Sequence, residues 1–103
     1  MSRLVAGRLV KLQFKEGKSE IGFYELDLIL NKQTRNAKGF RGYVSMFSCD
    51  QKDAVIILTI WEDDESFMGS MEMFSAAMEK VAPLLERTPS VEHCRVDTVI
   101  LNQ

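Results

Sequence analysis

The sequence predicts an α+β domain: a four-stranded antiparallel sheet backed by two helices, in the order strand, helix, strand, strand, helix, strand. Three observations carry this. Ala54-Val55-Ile56-Ile57-Leu58-Thr59-Ile60-Trp61 is an almost unbroken apolar run of strand length, and a strand without polar alternation is one covered on both faces. Phe67, Met71, Phe74, Met78, Val81 and Leu85 recur every three or four residues, the spacing of a helix lying on a sheet. Asp50-Gln51-Lys52-Asp53 is a polar connection of hairpin length leading into the apolar run.

Leu4, Ala6, Val10, Leu12 and Phe14 share even positions and define the buried face of a first strand over 3–14, interrupted by Gly7 and Arg8. Glu16-Gly17-Lys18 turns the chain. Ser19 is the available cap for a first helix over about 20–36, with Glu20 in its first turn and Lys32 and Arg35 near its end. Ile21, Tyr24 and Leu28, with Phe23, Leu26 and Leu30, form its stripes. Asn36, Gly39 and Gly42 offer stopping points before a second strand from near Phe40 to Ser48. Asp63 or Asp64 caps the second helix, whose last turn is kinked or separate at Pro83. Val91 to Leu101 alternate as the last strand. This is the split β-α-β-β-α-β, ferredoxin-like order, in which the first and third strands are central. The helices cover one side of residues 54–61, and a second copy of the chain is the simplest cover for the other.

The whole chain, 1–103, reads as one domain. A hydrophobic fraction of 46% with 27% charged residues is that of a globular protein. The net charge of −2, without a block of Lys or Arg, argues against nucleic acid as a partner. No apolar run reaches membrane-spanning length, and no signal-peptide pattern is evident. Cys49 and Cys94 lack metal-like spacing and read as free thiols in a reducing cytoplasm; a disulfide or redox pair is the alternative.

Three segments resemble antibiotic-biosynthesis-monooxygenase-type domains of the dimeric α+β barrel superfamily. Asn36-Ala37-Lys38-Gly39-Phe40-Arg41-Gly42-Tyr43 is similar to that family's glycine-containing passage from first helix to second strand. Ile60-Trp61-Glu62-Asp63-Asp64-Glu65-Ser66-Phe67 is similar to its strand, Trp, acidic turn and Phe-bearing helix start, and Pro89-Ser90-Val91 to its ending. The resemblance spans nearly the whole chain. It implies a homodimer whose two sheets close against each other, forming a dimeric alpha-beta barrel with a pocket between sheet and helices. It also implies oxidation of a small aromatic or quinol-like metabolite without metal or flavin. Other members degrade haem, isomerise or break down metabolites, and the fold alone does not choose among them. Two departures bear on this. The haem-degrading branch pairs a first-strand Asn with a helical Trp and His, whereas this first strand has no Asn and the corresponding positions are about Ser70 and Met78. The quinone-forming branch places an Asn four residues before its Trp, where this chain has Ile57.

The candidate site residues follow. Trp61 offers an aromatic wall and an indole N–H donor, with Phe67 and Met71 as apolar substrate contacts from the second helix. His93, the only histidine, is the natural neutral-pH base, although its parity with Arg95 and Asp97 favours a solvated or dimer-edge position. Tyr24 and Tyr43 are placed to bond a phenol or carbonyl, and Arg41 to hold an anion; each also reads as ordinary packing or a surface ion pair. Asp27 reads as the narrow polar side of its helix. No residue set has metal-ligand spacing and no Gly-rich stretch reads as a phosphate loop, so neither a metal nor a cofactor is expected. A cofactor-independent monooxygenase of this type would draw its electrons from the substrate, with Trp61 placing the ring and His93, Tyr43 or Tyr24 handling the proton. The alternatives are a non-enzymatic small-molecule-binding or structural homodimer, and an isomerase or degradative enzyme of the same fold.

Overall fold

The computed structural model describes residues 5–102. Strand β1 (Val5–Gln13) is followed by helix α1 (Ser19–Ile29), a π-helical turn (Leu30–Thr34), β2 (Phe40–Phe47) and β3 (Ala54–Trp61). Helices α2 (Asp64–Gly69) and α3 (Met71–Val81), a 3-10 turn (Ala82–Leu84) and β4 (Ser90–Val96) complete the order. The sheet runs β2-β3-β1-β4 with every neighbouring pair antiparallel. This is the ferredoxin-like arrangement, with β1 and β3 central as their apolar content requires.

The pleat gives the sheet two unlike faces. Ala6, Val10, Leu12 and Phe14 from the first strand and Val55, Ile57, Thr59 and Trp61 from β3 are buried beneath the helices. Leu9 pairs with Leu58 and Lys11 with Ile56 on the opposite face, where these apolar side chains are only half-buried. Val44 and Met46 extend that face onto β2 and are 41% and 46% exposed. Gly7 leaves room there for Val96 and Leu58, whose methyl groups lie 2.9 and 3.3 Å from where a Cβ would stand. The register slips by one residue between Phe40 and Gly42. This bulge at Arg41 changes parity, so that Phe40 opposes Trp61 and Tyr43 opposes Thr59 on the helix side.

The start of α1 departs from the sequence expectation. Ser19 is the first helical residue rather than the cap, and Lys18, at the cap position, makes no side-chain capping bond. Asp53 takes over that task from the β2–β3 connection. Its carboxylate accepts from Gly17 N at 3.0 Å and from Ser19 N and Oγ at 3.4 and 2.7 Å. The Gly17 and Ser19 bonds hold its pKa below the ordinary value, because they favour the charged form. The residue itself adopts a left-handed φ of 61°, tolerated by Asp better than by most residues. Further along, Gly22 is where α1 rests on the sheet layer, its missing Cβ occupied by the Phe14 ring.

The second helix is not continuous. Asp63 caps α2 by accepting from Ser66 N at 2.8 Å, which lowers its own pKa. In an unbroken helix the Phe67 carbonyl would accept from the amide four residues on. Here it accepts from Ser70 N at 3.1 Å, Ser70 Oγ at 2.7 Å and the Arg8 guanidinium at 3.2 Å. Those donors close α2 early, and α3 restarts at Met71. Beyond α3, Pro83 lies in the separate 3-10 turn anticipated for it. The last strand is shorter than expected: β4 ends at Val96, and 97–102, including Thr98 and Ile100, have no regular structure. Leu4 lies outside the described residues.

Gly22→Ala is expected to lower stability by about 1–3 kcal/mol, since the added methyl overpacks against a buried aromatic ring. Urea unfolding followed by far-UV dichroism measures it.

Candidate functional site

Arg8 stands at an even position of β1, on the face that otherwise holds Ala6, Val10 and Leu12. Its ladder partners are Thr59 on β3 and His93 on β4. The side chain therefore rises from the sheet centre into the helix layer, and it is 3% exposed. Nη1 donates to Ser70 Oγ at 3.0 Å, and Nη2 to the Phe67 carbonyl and to Met71 Sδ, at 3.2 and 3.0 Å. The guanidinium carbon lies 4.3 Å from the Phe67 ring centre and 4.6 Å from that of Phe74, cation–π contacts worth about 0.5–2 kcal/mol each.

What the group lacks is a counter-charge. Among the described residues, ion pairs join Arg41 to Glu62, Lys52 to Glu16 and Lys80 to Glu25, Asp64 lies against the His93 ring, and no acidic side chain pairs with Arg8. Its Nε is also the one buried side-chain nitrogen or oxygen there without a hydrogen-bond partner. Burial lowers its pKa. Removing a cation from water without an anion costs on the order of several kcal/mol, more than the two ring contacts return.

The Arg8 side chain borders a cavity between the sheet and the helices. Val10 and Ile57 form its floor, Trp61 one wall, and Leu26, Met73 and Met78 its helix side. Thr34, Thr59, Ser70 and Arg8 also border it, Arg8 as the single charged side chain in the lining, and the surface presented is almost wholly apolar. The free volume is about 30 Å³, room for one or two water molecules. The π-helical turn runs along one side through Leu30 and Thr34; wide turns of this kind occur often at functional sites.

The structure gathers four of the seven sequence candidates around Arg8. Trp61 is 1% exposed and lines the cavity, its indole N–H donating to Thr59 Oγ1 at 3.0 Å and its ring meeting Phe40 edge-on at 5.6 Å. Phe67 and Met71 touch the guanidinium directly. His93 lies on the helix side of β4 and is solvent-exposed, as its parity with Arg95 suggested. Its ring stacks on Phe67 at 3.9 Å and 12°, with Nε2 3.1 Å from Asp64 Oδ1, an orienting partner invisible in the sequence. His93 faces an outer hollow with Asp63, Asp64 and Arg95, and does not line the Arg8 cavity. The other three stand apart. Tyr24 is 63% exposed on α1. Arg41 lies 3.7 Å from Glu62 at the surface. The Tyr43 hydroxyl donates to Asp27 Oδ1 at 3.1 Å. Arg8 and the Ser70 break were missed, although a lone cation on an otherwise apolar strand face was a usable signal.

Among the described residues no helix is long and apolar enough to cross a membrane, and no three His, Cys, Asp or Glu side chains group as metal ligands. Cys49 and Cys94 are free thiols.

Fold and cavity together define a ferredoxin-like α+β protein with a buried cationic pocket between its layers. Solved structures share this fold. A candidate antibiotic biosynthesis monooxygenase from Nitrosomonas europaea superposes with a TM-score of 0.80 at 11% identity, covering 93% of each chain. A conserved protein from Methanosarcina mazei Go1 reaches 0.80 at 16% identity over 91% of this chain and 94% of its own. A second monooxygenase candidate, from Caulobacter crescentus CB15, gives 0.79 at 16% identity over 93% and 92%. At such identities the likeness shows the fold. No family model and no curated protein sequence matches the chain.

Burial, and secondly the charge of Asp27, raise the Tyr43 pKa to about 12, because both disfavour the phenolate. The folded state thus holds this proton more tightly than the unfolded chain. The stabilisation is complete below the ordinary tyrosine value of about 10 and disappears as pH rises through the folded value. Absorbance titration should show one of the two tyrosines ionising at about 12, a component that Tyr43→Phe removes.

Proposed function

We propose that this chain is a homodimeric, cofactor-independent monooxygenase acting on a small aromatic or quinol-like metabolite held in the Arg8 cavity. The observation that carries this reading is the apolar cavity between sheet and helices, walled by Trp61, in a fold shared with structures named as candidate antibiotic biosynthesis monooxygenases. The substrate's ring stacks on Trp61 among Val10, Ile57 and the methionines. In its closed form the cavity is too small for such a ring, and Met73 and Met78 are the side chains that give way, since unbranched thioethers repack at little cost.

The substrate supplies the electrons. One O2 converts a substrate methylene to a carbonyl and releases water, so no other reductant enters. Reaction requires the electron-rich, deprotonated substrate in a dry site with preorganised charge. His93, oriented by Asp64, takes the proton once the Phe67 ring, which separates it from the cavity in the closed form, turns aside. Tyr43 already donates to Asp27, and Tyr24 points to solvent, so neither is assigned the proton in this reading. The closed volume of about 30 Å³ favours, as the second reading, a dimer that binds a small molecule without turning it over.

The dimer interface in this proposal is the helix-free sheet face of Leu9, Val44, Met46, Ile56 and Leu58, and the protein works in the cytoplasm with both thiols free. Oxygen uptake by the metal-free protein across a panel of quinols and polycyclic phenols, with product masses recorded, tests the chemistry. The expected product gains one oxygen and loses two hydrogens, with turnover reduced at least about tenfold in both Trp61→Phe and His93→Ala. Unchanged turnover in both variants removes these roles. Light scattering at micromolar concentration is expected to give a dimer, and Leu58→Lys a monomer, because the charge would lie at the centre of the paired sheets.

A further inference from the structure

We propose that the Nε–H of Arg8 anchors one oxygen of a small monoanionic ligand, a carboxylate or phenolate carried on an apolar body. This rests on the reading of the cavity as a small-molecule site and names what that site selects.

Of the guanidinium's five N–H groups, three have partners: Ser70 Oγ, the Phe67 carbonyl and Met71 Sδ. All three are neutral, and the thioether is a weak acceptor. They fix the plane of the group without neutralising it. Nε has no partner, and the side chain borders the cavity. A protein that needed only to tie β1 to the α2–α3 break could do so with a neutral donor. A full cation held at 3% exposure, with no carboxylate beside it, is incomplete until an anion arrives.

The surroundings define which anion. Val10, Leu26, Ile57 and Trp61 give a medium of low polarity, where a cation–anion contact is far stronger than in water. With a single charge in the lining, one negative charge is balanced and a second is left uncompensated, so a dianion is rejected as a neutral molecule is. The Thr59 hydroxyl, which accepts from the Trp61 indole, stands nearby with its own proton for a remaining lone pair of the ligand. Nε–H is closed off in this form, and the anionic head reaches it as Met73 and Met78 give way to the apolar body. Ser70 is a positioning residue: its hydroxyl donates to the Phe67 carbonyl at 2.7 Å while accepting from Nη1, which aims the guanidinium.

The same geometry makes the test clean. When Arg8 is replaced by methionine, Ser70 Oγ and the Phe67 carbonyl still satisfy each other, and an uncompensated buried charge disappears, so the fold should melt no lower than the parent. Sodium benzoate and its neutral isostere benzamide are the probes, titrated calorimetrically into the full-length protein at constant ionic strength. Benzoate is expected to bind the parent and to bind Arg8→Met about tenfold or more weakly, with benzamide bound weakly by both. In the parent, 1H–15N spectra should show the arginine Nε–H resonance moving downfield on benzoate addition, a readout that needs no variant. The inference is overturned if benzoate binds Arg8→Met as well as the parent, if benzamide matches benzoate, or if millimolar benzoate leaves the Nε–H resonance unmoved. A marked loss of melting temperature in Arg8→Met would also count against it, by making Arg8 a structural tie. Benzoate binding through Arg8 without oxygen uptake on any phenol would uphold this inference and discard the oxygenase. Turnover of a neutral substrate undiminished in Arg8→Met would do the reverse.

Discussion

Helices cover one face of this sheet and leave the other open, and the rest of the structure depends on that constraint. Strand pleating sends alternate residues of β1 and β3 to opposite sides, so each central strand must satisfy two environments. On the helix side the interior is closed by Val10, Leu12, Phe14, Val55 and Ile57, with Leu26, Ala77 and Val81 packed on them. Any polar group at the same parity is carried into that interior whether or not it has a partner. Among the described residues Arg8 is the one charged side chain buried there, and its bond to the Phe67 carbonyl lies at the early end of α2. A carbonyl that accepts from the sheet below and from Ser70 beside it no longer serves a continuous helix.

The same constraint separates two kinds of binding surface. Between the layers the chain encloses a small apolar space with a single cation in it. Outside, Val44, Met46, Ile56 and Leu58 form a broad surface without charges of their own, flanked by Lys11 and Glu92. The first suits a small molecule that loses its hydration on entry, and the second suits an extended, self-complementary contact. Because the two lie on opposite faces of one sheet, they share the backbones of β1 and β3 but no side chains.

Much of the fold was legible because it is written in local periodicity. The even-numbered apolar residues of β1, the buried run 54–61 and the three-to-four spacing from Phe67 onward each specify an element from within a short window. The helix break was not legible, since Phe67 and Met71 keep helical spacing straight across it and the bond that lies there comes from Arg8, 59 residues from the carbonyl it engages. His93 illustrates a second limit: its side of the strand was shared correctly with Arg95, but which side faced the helices depended on pairing with Arg8. Of the site, Trp61 could be found by resemblance. The guanidinium, read as an interruption of a strand, acquired meaning only once its surroundings were known to contain no acid.

Asp53 has a consequence for the order in which the molecule assembles. The first helix begins without a cap of its own and borrows one from a residue 34 positions downstream. A nascent chain leaving the ribosome therefore exposes α1 before the group that secures its first turn has been synthesised. An isolated helix of 11 residues is marginal in water, so this one is consolidated late, when the β2–β3 hairpin swings the carboxylate into place. Along this stretch the group that secures the first turn is made after the helix it secures.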